Sequence, residues 1–169
     1  NIVNNSRFSI SGNPQWVEGK SGSALRFSKD TTAHISLGVG GFASLVEGSN
    51  ASTISAWVNL DEVPTSGTYI YRIFTSMVTA ANVGFELYLS SGALRAAARS
   101  IAGDAWNDIN ISLNDSYTRR WMHVAAVADY KEKTLKLYVD GELKAEKSNV
   151  PFASDVFVSS SLTGLDTIG

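Results

Sequence analysis

The feature that most constrains this chain is a period-two alternation of apolar and polar residues that recurs along its length, while apolar residues at helical spacing are hard to find. Successive side chains of an extended strand point to opposite faces, so the pattern describes half-buried strands and an all-β fold class. Gly22-Ser23-Ala24-Leu25-Arg26-Phe27 and Ala33-His34-Ile35-Ser36-Leu37 read as two short strands joined by Lys29-Asp30-Thr31-Thr32. Thr53-Ile54-Ser55-Ala56-Trp57-Val58-Asn59 gathers Ile54, Ala56 and Val58 on one side, and 70–77 is a further apolar run. Gly84-Phe85-Glu86-Leu87-Tyr88-Leu89 and Leu94-Arg95-Ala96-Ala97-Ala98-Arg99 flank Ser90-Ser91-Gly92, a short glycine-bearing connection that predicts a hairpin. Trp121-Met122-His123-Val124-Ala125-Ala126-Val127-Ala128 is apolar on both faces and predicts a central strand covered from both sides. Thr134-Leu135-Lys136-Leu137-Tyr138-Val139 alternates cleanly up to the turn pair Asp140-Gly141, after which Leu143-Lys144-Ala145-Glu146 resumes. Two long irregular stretches remain. Within 38–49, Phe42-Ala43-Ser44-Leu45-Val46 suits one helical turn, and 101–120, rich in Asn, Asp and Ser, reads as surface loop. Many short strands punctuated by turns predict an antiparallel β-sandwich of two sheets.

Composition narrows the function classes. A length of 169 residues, 44% of them hydrophobic and 18% charged, suits a single domain over 1–169 with its own core. A formal charge of −2 offers no field for nucleic acid or an anionic bilayer, and no apolar run approaches the roughly 18 residues of a membrane span. The expected partners therefore include no nucleic acid and no membrane insertion. Absence of cysteine removes thiol nucleophiles, thiolate metal sites and disulfides together.

Gly22 to Phe27, Thr53-Ile54-Ser55-Ala56-Trp57-Val58, Trp121-Met122-His123-Val124-Ala125 and Leu135-Lys136-Leu137-Tyr138-Val139-Asp140-Gly141 stand in the order and spacing of a known pattern. From about Gly19 to Gly169 the chain resembles the laminin-G-like, concanavalin A-like jelly-roll superfamily of lectins and glucanases. The resemblance implies a two-sheet antiparallel jelly roll. It leaves function open among adhesion modules, carbohydrate-binding modules, lectin domains and enzymes. It also implies a further strand containing Gly-Asp and a final strand after Thr167-Ile168-Gly169. The expectation is a domain short of its last strands, with the gap filled by a complementing C-terminal segment or a strand-exchanged copy.

Glucanases of this fold resemble one another in a strand carrying acidic residues at alternating positions, and no such strand is present; Asp61 and Glu62 are adjacent and precede Val63-Pro64 in a loop. The nucleophile elbow, the phosphate-cradling loop and the zinc helix are missing as well, so no catalytic residue is assigned. His34 and His123 make a metal pair only if their strands meet, and Trp57 and Trp121 read as packing groups. Alternation against the core then leaves Glu86, Tyr88, Arg95, Ala97, Arg99, Lys136 and Tyr138 facing outward. Tyrosines offer flat apolar area with a polar handle and arginines offer forked donors for hydroxyls or carboxylates, so Tyr88, Arg95, Arg99 and Tyr138 are expected to form one ligand surface. Trp106, an aromatic in the polar loop 103–108, joins them as a candidate.

Calcium is the one expected cofactor, because relatives in the superfamily resemble calcium binders. Asp104, Asp108, Asn110 and Asp30 carry suitable oxygens, but their spacing completes no calcium loop and no ligands are assigned. The reading that follows is a non-catalytic carbohydrate-binding module, extracellular or at a cell surface, belonging to a larger polysaccharide-processing or surface protein. Its partner is a glycan or cell-surface polysaccharide. The alternatives are a protein-binding or architectural adhesion module and, behind it, a glycosidase or lyase.

Overall fold

Alternation along the chain becomes two antiparallel sheets packed face to face. The computed structural model describes residues 8–28, 32–65, 70–79, 82–158 and 164–169. In chain order the elements are β1 (Ser9–Ser11), β2 (Gln15–Glu18), β3 (Ser23–Arg26), β4 (His34–Val39), α1 (Gly41–Val46), β5 (Ala51–Asn59), β6 (Tyr71–Thr79) and β7 (Asn82–Ser90). They continue with β8 (Ala93–Ala98), β9 (Asn107–Ser112), a 3-10 turn at Asp115–Tyr117, β10 (Trp121–Asp129), β11 (Thr134–Val139), β12 (Glu142–Lys147) and β13 (Leu165–Ile168). Seven strands form the large sheet in the order β1-β4-β13-β6-β7-β8-β9, and four form the small sheet in the order β12-β11-β10-β5. Among the described strands, β2 and β3 pair only with each other.

The two inner faces meet in one core. Phe74, Phe85, Leu87, Leu89, Leu94, Ala96, Ala98 and Ile109 come from the large sheet; Ile54, Met122, Val124, Ala126, Leu135, Leu137 and Val139 come from the small one. β11 packs across this layer onto β8 and β9. Each fully buried leucine removes enough apolar surface from water to contribute about 1.5–3 kcal/mol. Two hairpins fix the register. Ser91 and Gly92 turn at φ 51 and 75, Asp140 and Gly141 at φ 52 and 83, and consecutive left-handed residues match the twist of the strands they join.

Loops close the ends of the sandwich with polar bonds as well as apolar contacts. Tyr130 lies with ring centroids 5.1 Å from Phe152 and 5.8 Å from Phe157, and burial pushes its phenol up to about 12. Asp104 accepts from the Ser100 hydroxyl at 2.7 Å and from the amides of Ala105 at 2.8 Å, Ala153 at 3.1 Å and Ser100 at 3.2 Å. Burial alone raises its pKa, but these donors outweigh burial and hold it below the usual value. At the far end of the large sheet, buried Asp166 of β13 accepts the Phe42 amide at the start of α1, so the short helix is anchored by a strand distant in sequence.

Three expectations change. The stretch 101–120 is not all surface loop, because it contains β9, an edge strand of the large sheet whose Ile109 enters the core. The strand at 121–128 is interior to the small sheet but covered on one side only: its residues alternate between buried and half-buried from Trp121 to Asp129. Outward-facing Ala125 and Val127 stay half-buried. β3 pairs with β2, and β4 pairs with β1 and β13, while Lys29, Asp30 and Thr31 of the joint read as Lys29-Asp30-Thr31-Thr32 lie outside the described residues. Trp57 is not a packing group; it is 49% exposed on the outer face of the small sheet.

Candidate functional site

The outer face of the large sheet, turned away from the core, collects charged groups that the strand register brings side by side. One cross-strand row runs Arg72, Tyr88, Arg95, Asn110 across β6 to β9. The next runs Thr75, Glu86, Ala97, Asp108. Neighbours in such rows stand close enough for their side chains to touch, and long side chains also reach diagonally. Arg72 Nε donates to Glu86 Oε1 at 2.7 Å, and Arg95 Nη1 donates to Asp108 Oδ2 at 3.2 Å. Both ion pairs cross from the first row to the second, with Tyr88 set between the two arginines.

Depth distinguishes this face from an ordinary solvated one. The Glu86 side chain is 5% exposed and Ala97, its register partner on β8, is fully buried. Burial raises the Glu86 pKa, and the Arg72 charge and hydrogen bond offset that rise only in part. Tyr88 is raised in turn, first by burial and then by the Glu86 carboxylate, against the pull of Arg95. Side chains held by such bonds are preorganised donors and acceptors, with little conformational freedom left to lose when a ligand arrives.

Just beyond the end of β8, the Arg99 amide donates to the Gly84 carbonyl at 2.8 Å and its guanidinium stands 5.0 Å from the centre of the Trp106 ring. Trp106 remains 36% exposed, so an aromatic surface borders the charged rows.

Of the residues read from the sequence, Tyr88 and Arg95 are register partners on this face, and Arg99 with Trp106 continues it at one end. Tyr138 is elsewhere. It points outward from β11 on the small sheet, on the opposite side of the sandwich, beside Ala125. The expectation of one solvent-facing surface holding Tyr88, Arg95, Arg99 and Tyr138 is therefore corrected twice: Tyr138 belongs to the other sheet, and Tyr88 is buried. Leu87, Leu94, Ala96 and Leu137 do lie in the core as expected.

Arg72 was hidden inside an apolar run, where a lone charge amid apolar residues was the available signal. Asp108 is read in the sequence only as an oxygen donor for calcium; its pairing with Arg95 follows from β9 flanking β8.

The small sheet carries a different outer face. Trp57 meets His123 at a ring-centroid distance of 5.3 Å, and the Lys20 ammonium stands 5.2 Å from the Trp57 ring centre. His34 and His123 lie on different sheets and form no pair. Among the described residues no three His, Asp or Glu side chains gather as a metal site, and Asp30 lies outside them. Asp104 accepts from its neighbours through both carboxylate oxygens, and Asp108 accepts from Arg95 through Oδ2. A pocket of about 350 Å³ lined by Asp61, Glu62, Asp115, Thr118 and Arg119 sits apart from both faces, with Asp61 bound to Arg26 at 2.7 Å.

Comparison with known proteins adds a family and a set of shapes. The family model described as the concanavalin A-like lectin/glucanases superfamily matches residues 29–164. No curated protein matches in sequence. Among solved structures, the receptor binding domain of botulinum neurotoxin C/D mosaic serotype superposes with a TM-score of 0.71 at 17% identity, covering 97% of this chain and 38% of that one. The binding domain of Paraclostridial Mosquitocidal Protein 1 gives a TM-score of 0.68 at 19% identity, over 98% of this chain and 43% of the other. The ligand binding domain of botulinum neurotoxin serotype D in complex with N-acetylneuraminic acid gives 0.65 at 16% identity, over 97% and 38%. The chain thus spans about two fifths of the length of these structures, and at such identities the likeness is one of fold. No helix among the described residues is long and apolar enough to cross a membrane.

Proposed function

The chain belongs to the concanavalin A-like lectin/glucanases superfamily, and from that premise we propose that it is a non-catalytic carbohydrate-binding module, working outside the cell or at its surface as part of a larger polysaccharide-processing or surface protein. The observation that carries the reading is the outer face of the large sheet, where Arg72, Glu86, Tyr88, Arg95 and Asp108 form a bonded array bordered by the Trp106 ring. Sugars present hydroxyls that bridge donor and acceptor pairs and C–H faces that stack on aromatic rings, and this border offers both. The half-exposed Arg95–Asp108 pair and Trp106 are the accessible contacts, with Glu86 and Tyr88 buried beside them. A solved structure of similar fold in complex with N-acetylneuraminic acid supports a glycan as the ligand class.

A glycan array probed with the wild type, Arg95→Ala and Trp106→Ala tests this, with circular dichroism as a check on folding. The expected result is at least a tenfold loss of binding in both variants, with Tyr138→Ala binding as the wild type does. Array binding that survives both substitutions, or none by the folded wild type, overturns the reading. The second reading, a protein-binding or adhesion module, draws on the exposed Trp57 and Leu143 of the small sheet. In that case Trp57→Ala is the variant that abolishes partner binding.

A further inference from the structure

The cross-strand row Arg72, Tyr88, Arg95, Asn110 on the outer face of the large sheet holds a cation whose bonding is incomplete. Arg72 donates through Nε alone, to Glu86 at 2.7 Å, and among the described residues its two Nη groups have no acceptor. Arg120, just before β10, is the contrast: its Nε donates to the Ser116 carbonyl at 2.9 Å, its Nη1 donates to Asp140 at 2.8 Å, and its guanidinium lies over the Tyr117 ring. A guanidinium carries five donors in a planar fork, so a bond through Nε leaves the Nη1–Nη2 edge whole, and that edge matches the two oxygens of a carboxylate. β6 also shifts register between Arg72 and Phe74, a bulge of the kind that re-aims a side chain beside a site.

Exposure of charge is equally one-sided. The Arg72 side chain is 39% exposed and the Glu86 side chain 5%, so a solute arriving from water meets the cation before its counterion. β6 to β9 and the adjoining Arg99 together carry three arginines against two acids, Glu86 and Asp108, and the first of these acids is buried. Arg95, bonded to Asp108, stands two strands from Arg72, about 10 Å across the sheet. Trp106, just before β9, lies one strand further over and about four residues along, so Arg72 and the indole bound a surface of about 14 Å by about 13 Å.

Resting on the carbohydrate reading above, we propose that the ligand is an acidic saccharide chain and that Arg72 takes a sugar carboxylate through its Nη1–Nη2 edge. The Arg95–Asp108 pair and the exposed Asn110 take hydroxyls, and Trp106 stacks on a sugar further along. Arg72 is thereby the residue that selects acidic over neutral chains. A neutral chain leaves its fork facing water, whereas a carboxylate gains two charge-assisted bonds from donors that Glu86 already holds in place. One sugar does not reach both ends of the surface, so an oligosaccharide binds more tightly than its monomer.

Calorimetric titration with matched oligosaccharides tests this, each uronate chain (oligogalacturonate, oligomannuronate, a hyaluronan fragment) set against the same chain with its carboxyl groups reduced to alcohols. Expected is binding about tenfold tighter for the acidic member of at least one pair, a preference that shrinks as salt rises from about 0.1 M to about 1 M. Arg72→Gln/Glu86→Gln removes the cation together with its buried partner and leaves no lone charge; with folding checked by circular dichroism, its preference should fall below about threefold, while Arg120→Gln keeps it. Should the double variant not fold, Arg72→Lys keeps a charge beside Glu86 but presents no fork, and the preference should fall at least about threefold. Neutral chains bound as tightly as acidic ones, or in their place, overturn the carboxylate assignment and leave the carbohydrate reading standing. A folded wild type that binds no carbohydrate overturns both. Acid preference that survives the loss of Arg72, or dextran sulfate bound more tightly than every uronate chain, overturns the assignment equally.

Discussion

On the outer face of the large sheet Glu86, Tyr88 and Ala97 are buried, whereas on the outer face of the small sheet Trp57, Tyr138 and Val127 stay in contact with water. Polarity alone would have placed them the other way round. The difference lies in the neighbours. β7 and β8 have strands on both sides, and Ala97 stands in register between Glu86 and Asp108, each of which is paired with an arginine. β10 offers only Ala125 and Val127 at the centre of its outer face, and Trp57 stands on an edge strand with no described neighbour beyond. Which way a side chain points is a property of its own strand. How deep it lies belongs to the strands beside it.

The largest effect expected from this contrast comes from Arg72→Met, which leaves the Glu86 carboxylate buried without its cation. Removing one partner of a buried pair costs 3–5 kcal/mol, and because Arg72 is itself 39% exposed, about 3 kcal/mol at pH 7 is expected. Urea unfolding at two pH values measures it, and the loss should shrink near pH 4 as Glu86 takes up a proton. Lys136→Met, facing Glu146 across 3.5 Å on the small sheet, should cost no more than about 0.5 kcal/mol. Equal losses would erase the distinction between the faces.

Packing gives the next test. Ala97→Leu forces a larger side chain beneath the ion pairs and should cost about 2 kcal/mol, while Ala125→Leu on the open face should stay within about 0.5 kcal/mol. Thermal or urea melts of the two variants side by side decide the matter, and a tolerated Ala97→Leu would show that the charged cover moves aside freely.

The smallest effect is a pair of opposite pH slopes. Glu86 has a raised pKa, first through burial, so its contribution is fully present below the unfolded value of about 4.5 and is lost as pH rises through the folded one. Asp140, at the β11–β12 turn, is lowered by the Arg120 side chain and the His123 amide, so its contribution is present above the unfolded value and lost as pH falls through the folded one. Relative to wild type, Glu86→Gln should therefore gain stability as pH rises from 4 to 7. Asp140→Asn should lose it as pH rises from 2 to 5. Unfolding curves across pH 2–7 measure both slopes, and slopes of the same sign would contradict the assigned environments.

The sequence made the strong strands plain because alternation is a local property. β5, β7, β8, β11 and the single turn of α1 stand where the pattern put them. β9 escaped because its two isoleucines sit among Asn, Asp and Ser, which also make loops; pairing with β8 is what makes it a strand. β1 and β2 are too short for a pattern of their own. For the candidate site, alternation chose Tyr88 and Arg95 but not their partners, because Arg72 and Asp108 reach them only through the order β6-β7-β8-β9. Tyr138 was grouped with them for the same reason: period two says inward or outward, never which sheet.

The place of β13 in the large sheet has a consequence for the order in which the molecule assembles. β4 and β6 are not neighbours; β13 lies between them, pairing with both. A nascent chain leaving the ribosome can join β5, β10, β11 and β12 once Lys147 has emerged, and the β6-β7-β8-β9 meander earlier still. β1 and β4 have no described strand through which to join that meander until residues 165–168 follow. Roughly twenty residues separate the two events, about one to four seconds of synthesis at about 5–20 residues per second. During that interval the ladder stands open at its centre, and its closure, which joins segments more than a hundred residues apart, is the high-contact-order step expected to set the folding rate.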